Sequence, residues 1–380
     1  SSALITSLFS LLSLFGIGVI AFSGFKPVQD IALFLVDSLG QLIEILASFL
    51  SERSFASVSL TDISWIVSLL VFAAMVTLYV FWPKGKRAVL VGICAMVVML
   101  ILGLSIYWRF FSPTRICVMD IGQGDAILLS DGAHSLLVDT SVGDVVNDAL
   151  ERQHISYLDA ILLTHLDEDH AGGVRYMVGS VKTGRVLVGE GITKQEKPEL
   201  QKAIQRISGS GSYEVLYGDE FDVGRFHVRV VWPQRGYKAK EANNASVELY
   251  VTYNDGQNTL TTLLTGDAER DQTKETVTSG DVGDIDFLKV GHHGAAKSLY
   301  PETARALKPE VAVASAGKNN RYGHPKQEAV DILEGVGARF YCTKDYGDVT
   351  VFPGEHGPKV SVQHAKVDTE LEEEKDGGAG

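Results

Sequence analysis

Residues 161–173, ILLTHLDEDHAGG, constrain the fold of this 380-residue chain more than any other stretch. The first four residues are apolar or β-branched and predict a buried strand, after which the polarity changes abruptly. His165, Asp167, Asp169 and His170 follow, and two glycines allow the chain to turn. Imidazole nitrogens and carboxylate oxygens together suit Zn²⁺, Mn²⁺ or Fe²⁺. A polar surface turn is the alternative, but the pattern favours a metal site at a strand end.

Two later strands are predicted to end in residues of the same kind. The stretch TLTTLLTGD ends in Asp267, and IDFLKVGHHG contains the pair His292 and His293. Each feature alone is ambiguous, because a Gly-Asp pair is more often a turn than a ligand. Three strand ends with ligand-type side chains can converge at one sheet edge, so we expect a shared site. Which of the two histidines is the ligand stays open.

Charge divides the chain near residue 112. Residues 1–112 contain six Lys/Arg and five Asp/Glu, whereas the remainder contains 28 and 42. The chain is longer than one typical domain, so two units are expected. We predict a membrane region at 1–112, an α/β domain at 113–365 and a disordered acidic tail at 366–380.

Three uncharged, mostly apolar runs in the first part are each long enough to cross about 30 Å of hydrocarbon as a helix. These runs are residues 3–22, 63–82 and 88–108. Buried core helices are the alternative, but such long runs without charge are too uniform for a soluble core. Residues 28–50 differ, because their acidic residues recur every seven positions and predict an amphipathic helix at the membrane surface or in a groove. A fourth span remains possible there.

The short loop that contains Lys84, Lys86 and Arg87 predicts the orientation. Positively charged short loops stay in the cytoplasm, so the following span leads outward. We therefore expect a multi-pass protein of the cell membrane whose chain after Phe111 lies outside the cytoplasm. The first run lacks a basic flank and the sequence lacks an initial Met, so we expect a part of something longer.

From residue 115 onward, short strands alternate with helices. The predicted strands are 115–120, 125–130, 135–140, 161–164, 225–232, 247–253, 259–265, 285–290, 311–315, 339–343 and 349–352. The predicted helices are 144–153, 197–207, 268–277 and 326–333. Hairpins mixed with helices indicate layered sheets with helices outside them.

The segment THLDEDHAGG resembles the metal-binding motif of the metallo-β-lactamase fold, usually written His-x-His-x-Asp-His. This resemblance implies an α/β fold, an αββα sandwich, with two divalent metal ions. His165 and Asp167 would hold one ion. The second would be held by Asp169, His170 and either His292 or His293, with Asp267 between the two ions. Asp125 and Asp139 resemble acids of the fold that hold loops rather than metal.

Further motifs narrow the resemblance to the carboxy-terminal part of the ComEC family of DNA-uptake channels from naturally competent bacteria. These motifs are DIGQGDA (120–126), LLTGD, KVGHHG and NNRYGHP (319–325). The likeness covers nearly the whole chain, most specifically 116–325, whereas the family's amino-terminal portion is not in this sequence. It implies a metal-dependent nuclease that degrades one strand of incoming DNA during natural transformation. The implied partners are that DNA strand, membrane lipid, the amino-terminal part of the channel, a DNA receptor and a cytoplasmic translocation motor.

The sequence departs from the superfamily pattern at two places. Asp167 stands where histidine is most frequent, and NNAS (243–246) stands where a further histidine is expected. His227 is an alternative to that histidine, but its mid-strand position is typical of an ordinary strand residue. Fewer imidazoles and more oxygens favour Mn²⁺ over Zn²⁺. Asn244 and Ser246 become candidates for substrate contact.

Asp169 and His324 are the candidate catalytic residues. His324 would contact the phosphate or protonate the leaving oxygen, although it could instead cap a Gly-Pro turn. Asn320 in the same motif is a further candidate for substrate contact. Besides the metal ions, the local cations Lys289, Lys297, Lys318 and Arg321 are predicted to contact the substrate.

Two other functions remain open. One is hydrolysis of another phosphodiester, such as a cell-wall phosphocholine ester, and the other is a non-catalytic scaffold of the channel. Residues 113–365 contain 26 basic and 36 acidic residues, which disfavours tight binding of duplex DNA. The complete first metal motif argues against the scaffold.

Overall fold

The computed structural model describes residues 110–364 without a gap, and scattered helical positions between 30 and 107. The runs 3–22 and 63–82 and the tail 366–380 lie outside the described residues. Segments 28–50 and 88–108 are described only at isolated positions, all of them helical. Among the described residues, no helix has the length and apolarity needed to cross a membrane. The chain divides into two compact units, 1–60 and 61–380, and the domain boundary at 112 stays a prediction.

Residues 112–364 contain fifteen strands and seven α-helices. The strands are β1 (Arg115–Val118), β2 (Ile127–Asp131), β3 (His134–Val138), β4 (Tyr157–Leu163), β5 (Lys182–Gly189), β6 (Tyr213–Val215), β7 (Glu220–Val223), β8 (Phe226–Trp232), β9 (Glu248–Asn254), β10 (Thr259–Leu264), β11 (Phe287–Lys289), β12 (Val311–Ala314), β13 (Arg339–Cys342), β14 (Val349–Phe352) and β15 (Lys359–Val362). The helices are α1 (Val145–Arg152), α2 (Glu168–Ala171), α3 (Pro198–Ser208), α4 (Arg270–Thr278), α5 (Pro301–Leu307), α6 (Gln327–Glu334) and α7 (Thr343–Tyr346).

The strands form two mixed sheets. The first has the order β15-β14-β1-β2-β3-β4-β5-β6, antiparallel from β15 to β3 and parallel from β3 to β6. The second has the order β13-β12-β11-β10-β9-β8-β7, with parallel pairing from β10 to β13 and antiparallel pairing elsewhere. Each sheet thus combines hairpins with crossover connections.

Side-chain alternation along the strands separates three apolar cores. Ile116 and Val118 of β1 pack in one core with Leu249 and Val251 of β9, so this core lies between the two sheets. The other face of the first sheet is covered by α1 and α3. The other face of the second sheet is covered by α5 and α6. The predicted αββα sandwich is therefore confirmed.

The carboxyl ends of β4 and β10 meet at one end of the sandwich. The backbone N–H of Val247 donates to the carbonyl of Thr164, which follows β4, at 3.0 Å. Gly266, which follows β10, approaches Thr164 so closely that an added Cβ would lie 3.0 Å from its side chain. The predicted strand ends do converge, but they belong to two sheets rather than to one.

Candidate metal centre

Five of the predicted ligands lie together at this end of the sandwich. One group comprises His165, His170 and Asp267, and another comprises Asp169, His170 and His293. Within each group the ligand atoms lie within 4.8 Å of one another. Asp267 Oδ1 lies 3.2 Å from His170 Nε2 and 3.6 Å from His293 Nε2. The carboxylate of Asp267 thus adjoins both groups, as expected of a residue between two ions.

The turn after β4 positions Asp169 and His170. Asp167 begins the one-turn helix α2, which returns the chain toward the loop after β3. There the backbone N–H of Thr140 donates to the carbonyl of His170 at 2.7 Å. Gly173 is required for this approach, because a Cβ at that position would lie 2.0 Å from the carbonyl oxygen of Thr140. The glycines that end the motif therefore seat the ligand turn on the first sheet.

Asp139 orients His170 from behind. Its Oδ2 lies 2.7 Å from Nδ1 of His170 and also accepts a hydrogen bond from the hydroxyl of Thr164. Its Oδ1 accepts from the backbone N–H of Thr164 at 2.7 Å. Carboxylates placed in this way fix the ring orientation and raise the basicity of a metal-ligating imidazole. Asp139 was expected to hold a loop, and it does so through Thr164. It also holds the predicted metal ligand His170.

The histidine pair adopts an uncommon backbone. His292 and His293 have φ angles of 47° and 55°, and Gly294 follows at 78°. For residues with a side chain this left-handed region costs roughly 1–3 kcal/mol each, and such strain concentrates at functional sites. With this backbone, the rings of His292 and His293 lie at 72° to each other, with 6.2 Å between their centroids. His293 points Nδ1 at the carbonyl of Ser315, 3.0 Å away, and Nε2 at the cluster, whereas His292 joins no ligand group among the described residues.

The cluster fits a divalent metal ion by an independent test. Nε2 of His165, His170 and His293 and Oδ1 of Asp267 are all buried without a hydrogen-bond partner. A buried polar atom without a hydrogen bond costs about 1–3 kcal/mol, so four such atoms in two overlapping groups require an explanation. Imidazole nitrogens and carboxylate oxygens are ligands for divalent ions of the first transition row. Two ions, one at each of the two overlapping ligand groups, would together satisfy all four atoms.

The charges of the cluster are coupled. Burial alone would lower the pKa of His170, but Asp267 and Asp139 outweigh it and raise that pKa well above its usual value. Burial opposes ionisation of Asp267, yet His170 and His293 lower its pKa. The pKa of His293 is raised to about 10, against the effect of burial, mainly by Asp267 and Asp125. Protons on these imidazoles take the place that an ion would occupy, so metal binding must release them.

A fully buried ion pair supports the centre. Lys289 Nζ donates to Asp125 Oδ2 at 2.6 Å, and neither side chain reaches solvent. Asp125 Oδ1 lies 3.5 Å from His293 Nδ1. The prediction of Lys289 as a substrate contact is wrong, because its buried ammonium is paired with the carboxylate of Asp125, 164 residues earlier in the chain. The lysine compensates the charge of Asp125 inside the protein.

The other predicted metal ligands and substrate contacts differ in their exposure to solvent. Asp167 is the predicted ligand that is exposed, at 53% of its side chain, with Oδ2 3.7 Å from His165 Nε2. Ser246 is fully buried, so it does not reach the surface as a substrate contact would. Its hydroxyl lies 3.0 Å from His165 Nδ1 and accepts from the backbone N–H of Asp267. Asn244 faces Gln272, and His227 is on the surface of β8 beside Asp222.

His324 and Asn320 border the centre from the loop after β12. The His324 ring centroid lies 5.8 Å from that of His292 and 6.3 Å from that of His293. Burial, with a contribution from His293, lowers the pKa of His324 to about 4. Asn320 and Asp169 line a cavity of about 440 Å³ next to the cluster. Through Asp169, this cavity adjoins the candidate metal centre.

The comparison with known proteins agrees with this geometry. Residues 119–318 match the model of the metallo-beta-lactamase superfamily. The chain belongs to this superfamily, whose fold implies divalent metal ions and supports a metal-dependent hydrolase.

Two curated relatives narrow the class. The chain is 31% identical over 280 residues to ComE operon protein 3 of Bacillus subtilis strain 168, covering 68% of this chain and 35% of that protein. It is 27% identical over 350 residues to Competence protein ComA of Neisseria gonorrhoeae, covering 88% of this chain and 45% of that protein. The resemblance to ComEC-type competence proteins is thus confirmed. The chain spans less than half the length of these relatives.

Among solved structures, the metallo-beta-lactamase fold protein YhfI from Bacillus subtilis is similar at a TM-score of 0.41 and 12% identity. The match covers 61% of this chain and 96% of that one.

Proposed function

We propose that this chain is a metal-dependent nuclease that hydrolyses phosphodiester bonds in one strand of incoming DNA during natural transformation. One observation carries the proposal, namely that buried ligand atoms without hydrogen-bond partners cluster with Asp169, which lines an open cavity. The competence relatives support DNA as the substrate. The open cavity beside the cluster supports hydrolysis over a purely structural role, because structural metal sites are closed whereas catalytic ones keep an accessible position.

Each residue of the centre has a definite task in this proposal. His165, His170 and Asp267 would hold one divalent ion, and Asp169 and His293, with His170 and Asp267 adjoining, would hold the second. When bound, such ions polarise a phosphoryl oxygen and supply a nucleophile at neutral pH.

The residues of the cavity orient the substrate. Asp169 is the ligand that also lines the cavity, so its carboxylate is placed to orient the attacking water. Asn320 and Arg321 also line the cavity, and the Arg321 guanidinium would contact a phosphate there. His324 stands beside His293 at the inner end and would contact the leaving oxygen. The strand would therefore lie along the cavity with its scissile bond at the ligand cluster.

Mn²⁺ is the ion that we propose for this site. The cluster offers carboxylates from Asp169 and Asp267, and Asp167 adds a third close to His165. Such an oxygen-rich set suits Mn²⁺ better than a set of imidazoles would.

We further propose that the chain sits in the cell membrane with the hydrolase domain outside the cytoplasm. The charge-free runs and the basic loop at Lys84, Lys86 and Arg87 support this orientation. There the enzyme would meet incoming DNA and not the chromosome. The DNA receptor, the translocation motor and the amino-terminal part of the channel are its proposed partners.

The test is cleavage by the purified full chain, freed of metal and supplied with Mn²⁺, Zn²⁺ or Mg²⁺. We expect metal-dependent cleavage of DNA, and we expect Asp169→Ala or His170→Ala to abolish it, since each removes a ligand. His227→Ala is the control, because His227 is an exposed histidine away from the cluster. Hydrolysis of a phosphocholine ester without cleavage of DNA would contradict the proposal, and so would equal DNA cleavage by the parent and the ligand variants.

A further inference from the structure

The loop between β12 and α6 presents an aromatic ring to solvent beside the metal centre. Tyr322 is 47% exposed, and the guanidinium carbon of Arg321 lies 4.9 Å from the centre of its ring. Arg321 Nη2 also donates to the Tyr322 hydroxyl at 2.7 Å. The two side chains form one stacked unit, which we call the Arg321–Tyr322 stack.

The loop that carries this stack is fixed by its own hydrogen bonds. The Asn320 side chain donates to the carbonyls of Gly317 and His324 and accepts from the backbone N–H of His324, at 2.7–2.9 Å. Lys326 Nζ donates to the carbonyl of Tyr322. Gly317 packs against the loop that precedes β2, where a Cβ would lie 3.1 Å from the backbone nitrogen of Gln123. Binding to the stack therefore requires little ordering of the loop.

The stack forms one wall of the cavity at the metal centre. Arg321 and Tyr322 line it together with Asp169, a member of the ligand cluster. The Tyr322 ring centroid lies 5.7 Å from that of His324, which in turn lies 6.3 Å from that of His293. The stack therefore lies within about two ring-to-ring steps of the ligand cluster, so a strand whose phosphate reached the cluster would pass the exposed ring.

Local charge also favours a nucleic-acid strand at this wall. Residues 317–326, GKNNRYGHPK, contain three basic residues and no acidic one, whereas residues 113–365 as a whole are strongly acidic. Most of the domain repels a polyanion, and the cations of this loop offset the two acids, Glu168 and Asp169, that line the same cavity. Exposed aromatic rings beside cations are the usual means by which proteins bind single strands without reading their sequence.

We propose that the Arg321–Tyr322 stack is a base-stacking subsite that makes the centre selective for single-stranded nucleic acid. Bases of a duplex are stacked on one another and paired, so they cannot lie on an external ring. The inference rests on the proposed nuclease function for its location, but the stacking itself can be measured without cleavage.

The experiment measures binding of fluorescent oligonucleotides to the full chain by anisotropy, at low salt and with EDTA to prevent hydrolysis. Tyr322→Ala is expected to weaken binding of a single strand roughly tenfold, as loss of one base–aromatic stack does. The same variant should bind an abasic strand and a blunt duplex as the parent does. Tyr322→Phe keeps the ring and should bind like the parent.

Tyr213→Ala is the matched control, because Tyr213 on β6 is similarly exposed, at 54%, and does not line the cavity. The proposal is overturned if Tyr322→Ala binds the base-containing strand as well as the parent does. It is also overturned if the loss is equal for the abasic strand, since the contact would then be to the backbone. Base-dependent binding in a chain that cleaves no DNA would refute the nuclease function while leaving the subsite intact.

Discussion

The carboxylate of Asp139 lies 2.7 Å from Nδ1 of His170, and both side chains are completely buried. This contact turns Nε2 of the imidazole toward Asp267, where the two groups of ligands meet. Asp139 therefore acts on a metal ion through His170, as a positioning residue.

Asp139→Asn is expected to lower the affinity for Mn²⁺ or Zn²⁺ about 10- to 100-fold, because the ring loses its charged partner while the side-chain shape is kept. Isothermal titration of the metal-free chain measures this affinity. Asp222→Asn is the matched control, because Asp222 also lies 2.8 Å from a histidine Nδ1, that of His227, but at the surface. Unchanged affinity in Asp139→Asn would show that His170 needs no support.

Asp167 is expected to set the choice of metal. Its carboxylate lies 3.7 Å from His165 Nε2, close enough to join the same ion after a small movement of an exposed side chain. Asp167→His should raise the affinity for Zn²⁺ roughly tenfold relative to Mn²⁺, because it replaces an oxygen with an imidazole nitrogen. Titrations with both ions check this ratio. A parent chain that purifies with two tightly held zinc ions would contradict the preference for Mn²⁺.

Glu248 is expected to make stability depend on pH. This glutamate is fully buried on β9, where Thr273 donates to one carboxylate oxygen at 2.9 Å, and burial raises its pKa from 4.5 to about 7. The protonated form contributes stability fully below about pH 4.5, and this contribution is lost as pH rises through about 7.

Glu248→Gln keeps the shape and stays neutral. The free energy of unfolding of this variant relative to the parent should therefore increase by up to about 3 kcal/mol between pH 4.5 and 8. Urea unfolding with EDTA across this range measures the difference. Glu355→Gln, an exposed counterpart, should show a flat difference. A flat difference for Glu248→Gln as well would mean that the buried carboxylate is already ionised.

The orientation in the membrane can be tested with reporters fused after Ala365. If Lys84, Lys86 and Arg87 are cytoplasmic, an alkaline phosphatase fused there should be active, because it folds only outside the cytoplasm. A fluorescent protein that matures only in the cytoplasm should be dark at the same position. The reverse pattern would remove the physical rationale for cleavage of incoming DNA.

Local sequence patterns predicted much of the fold. The abrupt change from apolar to ligand-type residues after Leu163 and Leu264 marks strand ends, and the structure has β4 and β10 end there. β5 escapes this reasoning, because Lys182–Gly189 begins with polar residues and contains an internal glycine. Helix α5 was also not predicted, because its seven residues are too few to show a helical period.

Contacts across the chain were beyond such patterns. Lys289 reads as a solvent-facing cation in sequence, and only the fold reveals Asp125 beside it. Ser246 stands where the superfamily has a histidine, and its sequence position predicts a substrate contact. In the structure its hydroxyl instead lies 3.0 Å from Nδ1 of His165. Tyr322 follows an arginine directly in a loop without acidic residues. This pattern indicates a nucleic-acid contact only together with the cavity that the two residues line.

The ligands come from both halves of the sandwich, since His165, Asp169 and His170 follow β4 of one sheet, whereas Asp267 and His293 follow β10 and β11 of the other. Bound ions would therefore cross-link the two sheets, in addition to any role in catalysis. Their binding free energy then adds to the stability of the whole domain, by about 2.7 kcal/mol at a hundredfold excess of ion over the dissociation constant. Chelation should therefore lower the melting temperature as well as stop the proposed cleavage, so the domain would lose stability and activity together wherever metal is scarce.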